Sequence, residues 1–468
     1  MKNWVAAAGV LGLLGAMPAA AQELRPDQVK FRELYKELVE TNTTLSSGSC
    51  TLAAERMGAR LKAAGYSDSE MTYFSVPEHP KEGGLVAVLP GTSKTAKPIL
   101  LLAHLDVVEA RRSDWQRDPF TLVEENGYFY ARGAADDKAM ASIWIDLMVR
   151  LKQEGAKLKR TVKLALTCGE ETPSAFNGAQ WLAQNRPGLI AAEFALNEGG
   201  GGRTDGKGKL LVQSIQVGEK AFQNYRLETT NPGGHSSLPA RDNAIYELAD
   251  ALGKIRDHEF PVQLNDTTRA FFAKAGAARG GEMGQAMVAI AANPNDKAAE
   301  AVLNRDRSFH SLLRTTCVAT MLEGGHATNA LPQHAEANVN CRIFPGTSVE
   351  QVRQALELAV ADPQVKITTL ETRSAISPPP PLTERVLGPA RKVAAEVFPG
   401  VPLVPLMAAG GTDAAFLTPA GIPTYGITGI FSDREGSHAH GLDERIRVKS
   451  LLDGREFLYR LVKAYSAE

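Results

Sequence analysis

Three short apolar runs in this chain each lead into a metal-binding or acid–base side chain. That arrangement constrains the fold more than any other feature. Pro98-Ile99-Leu100-Leu101-Leu102-Ala103 runs directly into His104-Leu105-Asp106. Val162-Lys163-Leu164-Ala165-Leu166-Thr167 precedes Glu170-Glu171, and Phe194-Ala195-Leu196 precedes Glu198. Runs of this length and composition read as buried strands. In open α/β sheets, sites assemble in the crevice beyond the strand carboxyl ends, so the chemistry is expected where these strands become loops.

A chain of 468 residues buries a large core and points to two or three domains. Its 52 basic side chains almost balance 53 acidic ones, so it lacks the basic footprint that nucleic-acid binding needs. At the N-terminus, Lys2 precedes an apolar stretch from Trp4 to Met17, and Ala19 and Ala21 supply the small residues a signal peptidase cuts after. The expectation is a signal peptide over residues 1–21, a mature chain starting at Gln22, and a bacterial periplasmic or secreted protein with no stable membrane insertion. The alternative, an uncleaved anchor, has an apolar stretch that is short for a bilayer. Export permits disulfides. Cys317 and Cys341 lie in two strand-like runs at equal distance from Asn329, so a hairpin would set them opposite each other. Cys50 and Cys168 carry no such argument and read as small buried apolar residues. With no CxxC, a cysteine zinc site is disfavoured.

From Asp27 to about Val212, strand-like runs alternate with amphipathic segments; Lys138 to Lys152 places Met140, Ile143, Leu147 and Leu151 mostly on one helical face. Around Gly218 the texture changes. Phe222 to Thr229 and Leu313 to Met321 read as antiparallel strands bracketing a polar helical region from Phe260 to Ser311. The proline run Pro378 to Pro381 reads as a stiff return linker. The expected division is a catalytic domain in two parts, 22–215 and 374–468, with an inserted α+β domain at 216–373.

A pair of zinc ions roughly 3.5 to 4 Å apart needs about two histidines and three carboxylates, one of them shared. His104, Asp106, Asp136, Glu171, Glu198 and His440 supply that set. In Glu170-Glu171 one carboxylate can bind metal while its neighbour takes the proton of the attacking water. Each motif alone is weak: adjacent glutamates are usually a solvated pair, and a lone histidine is more often structural. The ordered combination is specific.

That combination resembles the di-zinc metallopeptidases and amidohydrolases that include glutamate carboxypeptidase, aminoacylase, carnosinase and succinyl-diaminopimelate desuccinylase. The resemblance runs from about Val29 to Leu461, through AHLDVV, WQRDPF, YARGAADDK, TCGEETPS, LNEGG, NPGGHSS, GGHATNALP, CRIFPG, GGTDAAF and HGLDERI in the family's order. It implies a mixed-sheet catalytic domain with an inserted lid and dimerisation domain. It makes His104 and His440 terminal ligands, Asp136 the bridge, and Glu171 and Glu198 one ligand on each ion. Glu170 becomes the general base, and Asp106 orients His104. His438 is the alternative last ligand. His235 matches a histidine that reaches the partner's site and steadies the oxyanion, its alternative being a turn histidine; a homodimer follows. Asn329, Arg342, Gly410, Gly411 and Thr412 fall where the family binds a substrate carboxylate, although Arg342 also fits a structural ion pair. Two departures stand out: Ala139 where the family has glycine after its Asp-Asp-Lys, and Gly169 where it has an acidic residue before Glu-Glu.

The expected activity is therefore an exported, zinc-dependent hydrolase of an amide next to a carboxylate, of dipeptidase or carboxypeptidase type, with an N-acyl-amino-acid deacylase as the alternative. Manganese or cobalt could replace zinc on the same ligands. A non-catalytic peptide-binding relative would be expected to lose Glu170 or a ligand, and all are present. A two-metal phosphoesterase would call for basic residues at the site.

Overall fold

The computed structural model describes residues 24–172, 176–371 and 376–467. The expected leader and the expected boundary at 373–374 lie outside the described residues. Among the described residues the main sheet has ten strands. Its centre is four parallel neighbours: Val162–Thr167, Ile99–His104, Phe194–Asn197 and Thr424–Gly426. His104 pairs with Thr167 and Leu101 with Leu196, so these three carboxyl ends lie near one another in the sheet. Antiparallel strands flank this centre, making the sheet mixed.

Both faces of the sheet are buried, which explains why the central strands read as continuous apolar runs rather than alternating ones. Leu101 and Ala103 pack into one core, with the helices Pro26–Val39, Cys50–Ala63, Lys138–Gln153, Glu384–Val397 and Val448–Ala467. Leu100 and Leu102 pack into the opposite core with Ala179, Leu182 and Leu417. The helix Lys138–Gln153 differs from expectation: it is buried nearly all round, from Lys138 through Met148, instead of along one face. It is wedged against the sheet, where the Trp144 indole donates to the Leu102 carbonyl at 3.0 Å.

The second sheet is antiparallel, in the order Thr316–Gly324, His334–Ile343, Ala221–Thr230, Lys366–Thr369. One face carries Tyr225, Leu227, Val339 and Ile343, covered by the helices Ala244–Asp257 and Val349–Val360. The other face presents Phe222, Asn224, Asn340 and Arg342, as the period of two requires. The helical region after Phe260 forms four short helices whose core takes in Leu406 of the strand Leu403–Ala408, so it packs on the main sheet.

Cys317 and Cys341 sit in direct register across two strands and form a disulfide. Cys50 and Cys168 are corrected by the structure: they too are joined, with Cα atoms 6.0 Å apart across 118 residues. Their pairing was invisible in sequence because it depends on the helix Cys50–Ala63 being packed beside the end of the strand Val162–Thr167.

Candidate metal centre and cavity

Asp136 stands between two imidazoles. Its Oδ1 lies 3.2 Å from His104 Nε2, and its Oδ2 lies 3.5 Å from His440 Nε2. His104 Nε2 is also 3.7 Å from Glu198 Oε1, and His440 Nε2 is 2.8 Å from Glu171 Oε1. The five sequence candidates thus meet in one cluster, organised as two histidine–carboxylate pairs about one shared carboxylate. His438 is elsewhere, with Nδ1 2.8 Å from Asp443 and Nε2 beside Arg445. Asp137 is a further ligand candidate that the motif reading left without a role: its carboxylate groups with His104 and Glu198 within 4.8 Å.

The His104 ring is oriented mainly by backbone. Nδ1 meets the Asp106 carbonyl at 3.0 Å and the Asp106 carboxylate only at 3.6 Å. That carboxylate accepts instead from the backbone N–H groups of Glu171 at 2.9 Å and Glu170 at 3.4 Å. Asp106 therefore fixes the loop that carries both glutamates. Asn177 holds the same loop, donating to the Gly169 carbonyl at 3.2 Å and to Asp413 at 2.8 Å. Gly169 has φ +96°, and a Cβ there would stand 1.7 Å from the Phe176 carbonyl oxygen, so the family's acidic residue has no room at this position.

Sequence reasoning missed the pair that ties the cluster's two halves together. The buried Glu444 carboxylate accepts from the N–H groups of Gly133, Ala135 and Asp136 at 2.9 to 3.1 Å and from Arg132 at 2.7 Å. Arg132 in turn donates to the carbonyls of His440 and Gly441. Both residues lie inside recognised motifs, YARGAADDK and HGLDERI, which was the available signal.

The electrostatics fit cations. Burial pushes Glu170 up to about 9 and Glu198 well above the carboxylate range, with neighbouring carboxylates adding to the effect. Burial disfavours a charged His104, yet Glu198, Asp106 and Asp136 outweigh it and raise its pKa. Hydrogen bonds donated to Asp136 and Glu171 raise His440 to about 10. The imidazoles thus hold protons where nitrogen and oxygen donors converge, the situation in which a divalent ion displaces protons. Two imidazoles and the carboxylates of Asp136, Glu171 and Glu198 fit a dinuclear site in donor chemistry and number.

A cavity of about 420 Å³ opens from this cluster. Asp136, Glu170, Glu171, Glu198 and His440 lie at one part of its lining; Arg342, Gly410, Gly411 and Thr412 also line it. Its apolar wall includes Phe222, Ile376, Pro378, Pro380 and Phe416. The Arg342 guanidinium stacks over the Phe222 ring at 4.9 Å. His235 and Asn329 are not among the residues lining it. Both are exposed and sit together: His235, on the short strand Gly234–His235, pairs with Ala330 of the half-buried strand Ala330–Leu331, and the carbonyl of Asn329, just before that strand, accepts from Ser236.

A mixed sheet with this cluster at its carboxyl ends and a second sheet contributing to the cavity frames a metal-dependent hydrolase, and the family it matches makes it one of amide bonds. Peptidase family M20/M25/M40 matches residues 100–464, and the chain belongs to it. It is 28% identical over 458 residues to the N-fatty-acyl-amino acid synthase/hydrolase PM20D1 of Homo sapiens, covering 95% of this chain and 89% of the relative. It is 27% identical over 390 residues to the probable carboxypeptidase S-like 2 of Dictyostelium discoideum, covering 80% of this chain and 72% of the relative. Among solved structures, an M20 family metallo-carboxypeptidase, Sso-CP2 from Sulfolobus solfataricus, shares the fold at a TM-score of 0.71 and 19% identity, covering 95% of this chain and all of the other (100%).

Proposed function

We propose that this chain is an exported two-zinc hydrolase that cleaves the amide bond of an N-acyl amino acid. The observation that carries the reading is the cavity, whose lining brings together residues of the metal cluster, Arg342, and the apolar side chains of Phe222, Pro378 and Phe416. A guanidinium fork suits a carboxylate, and the apolar surface suits an uncharged acyl arm. The similarity to an N-fatty-acyl-amino acid synthase/hydrolase supports the same substrate class. The second reading, a dipeptidase or carboxypeptidase, is supported by the similarity to the Dictyostelium carboxypeptidase-like protein.

His104 and Glu198 would hold one ion, His440 and Glu171 the other, with Asp136 shared. Bound zinc supplies Lewis acidity toward the scissile carbonyl and makes water a better nucleophile at neutral pH. Burial raises Glu170 in the metal-free protein; cations beside it would favour its carboxylate form, in which it takes a proton from the attacking water and delivers it to the departing nitrogen. Arg342 and the backbone of Gly410 to Thr412 orient the carboxylate. Glu444, Arg132 and Asp106 hold the loops that carry Asp136, His440 and Glu170.

The homodimer belongs to the same proposal. His235 and Asn329 would complete the partner's cavity, which accounts for two site-like residues standing exposed outside their own. The test is a panel of N-acyl amino acids, dipeptides and phosphoesters given to zinc-loaded protein. N-acyl amino acids should give the highest kcat/KM. Preference for dipeptides would replace the first reading with the second, and phosphoester turnover alone would defeat both.

A further inference from the structure

One residue in the stretch that carries the carboxylate subsite is turned away from the cavity. Residues 410–412 and 414–416 line it, and Asp413 between them does not. Asp413 precedes the short helix Ala414–Leu417, a place where an aspartate ordinarily accepts hydrogen bonds from its own helix; here its side chain makes no such bond. The buried carboxyl turns instead to residues 236 and 246 positions earlier. Oδ1 accepts from Asn177 Nδ2 at 2.8 Å, and Oδ2 accepts from Thr167 Oγ1 at 3.0 Å. We infer that Asp413 is a positioning residue for Glu170: through Thr167 and Asn177 it fixes the loop of the general base against the loop that lines the carboxylate subsite. The inference rests on Glu170 being the general base.

Thr167 and Asn177 flank Glu170 along the chain. Thr167 ends the strand Val162–Thr167, just before Cys168-Gly169-Glu170. Asn177 caps the following helix Gly178–Asn185, accepting from the Gln180 N–H at 2.8 Å, and its amide also donates to the Gly169 carbonyl at 3.2 Å. The Gly178 N–H donates to the Cys168 carbonyl at 2.7 Å. The base loop is thus closed at its foot, and Asp413 bonds to both sides of that foot. Next to Asp413, Thr412 Oγ1 accepts from Asn197 Nδ2 at 3.3 Å, and Asn197 directly precedes Glu198. Thr412 and Asp413 therefore join the base loop, the carboxylate subsite and the strand of a metal-site glutamate. The arrangement does not require a charge on Asp413. Thr167 Oγ1 also lies 3.3 Å from the Ala103 carbonyl, so it can donate there and accept from the side chain at 413 instead. A carboxylate, a carboxylic acid or an amide at this position keeps both contacts; a methyl group keeps neither. A base misplaced by about 1 Å can cost roughly 10²-fold in rate, which is what these contacts guard against.

The experiment measures kcat and KM, per two-zinc site, for wild type, Asp413→Ala, Asp413→Asn, Thr167→Val and the Asp413→Ala/Thr167→Val double variant, using the best substrate of the panel above. Asp413→Ala should lower kcat by roughly 10- to 10²-fold, with KM changed less than about threefold. Asp413→Asn should return kcat to within about threefold of wild type. Thr167→Val removes one of the two contacts and should lower kcat less than Asp413→Ala does, and the double variant should be no slower than Asp413→Ala alone, because both changes act through one contact. An unchanged kcat per two-zinc site in Asp413→Ala would show a role in folding only and overturn the inference. Failure of Asn to rescue would assign the effect to charge, and multiplied losses in the double variant would separate Thr167 from Asp413; either result also overturns it. If Asp413→Ala does not fold with two zinc ions, Thr167→Val decides: kcat should fall by at least about threefold with KM unmoved, and an unchanged kcat rejects the inference. Glu170→Gln separates the two levels. If that variant keeps normal turnover, the general-base assignment fails and the inference with it; if it is inactive while Asp413→Ala turns over normally, the inference alone fails.

Discussion

Glu170 and His440 carry the sharpest expectations at the scale of single residues. Glu170→Gln preserves shape and removes the proton acceptor, so turnover should fall by roughly 10² to 10⁴ while both metals remain by elemental analysis. Loss of metal would mean Glu170 is a ligand. His440→Ala should lose at least one ion; a variant keeping two ions and a normal rate would point elsewhere. The pH dependence of metal binding follows from the same residue. Asp136 and Glu171 raise His440 to about 10 in the metal-free protein, so its protonated form dominates below that pH and must lose a proton to bind metal. Zinc affinity should therefore rise with pH across the neutral range. Calorimetric titration in two buffers of different ionisation heat should show proton release; no release would contradict the assignment. His104, Glu171 and Glu198 were legible in sequence because each follows a strand closely. The Arg132–Glu444 pair was not, since it joins residues 312 apart and reads locally as two unremarkable charges. His235 and Asn329 show the converse: their motifs are clear, yet their own chain does not bring them to the cavity.

At the scale of elements, the central strands were readable because burial on both faces leaves no polar positions to interrupt them. The helix Lys138–Gln153 was misjudged because helices on both sides of it, Pro26–Val39 and Val448–Ala467, cover faces that periodicity alone would leave to solvent. The Cys50–Cys168 disulfide fastens the helix Cys50–Ala63 to the segment that leads into Glu170 and Glu171. Replacing both cysteines by serine should lower unfolding free energy by about 2 to 4 kcal/mol, read by urea denaturation, and should slow turnover more than it lowers metal content. Unchanged stability and rate would show that Asp106 and Asn177 suffice to hold that loop.

At the scale of the whole molecule, the second sheet exposes an edge. Val318, Met321 and Leu322 on the outermost strand Thr316–Gly324 are 59%, 67% and 63% exposed. Edge strands that present apolar side chains invite pairing, and a two-fold pairing there fits the proposed homodimer. Co-expressing tagged His235→Ala and Glu170→Gln chains should regenerate activity, because a mixed dimer contains one site with both residues intact; a confirmed heterodimer as inactive as its parents would confine His235 to its own chain. The account depends on two ions sharing Asp136. Anomalous diffraction at the zinc edge from crystals of the zinc-loaded protein tests that directly. It should show two peaks, one beside His104 and Glu198 and one beside His440 and Glu171, with Asp136 between them. A single peak, or a second peak held by Asp137 or His438 in place of those residues, would contradict it.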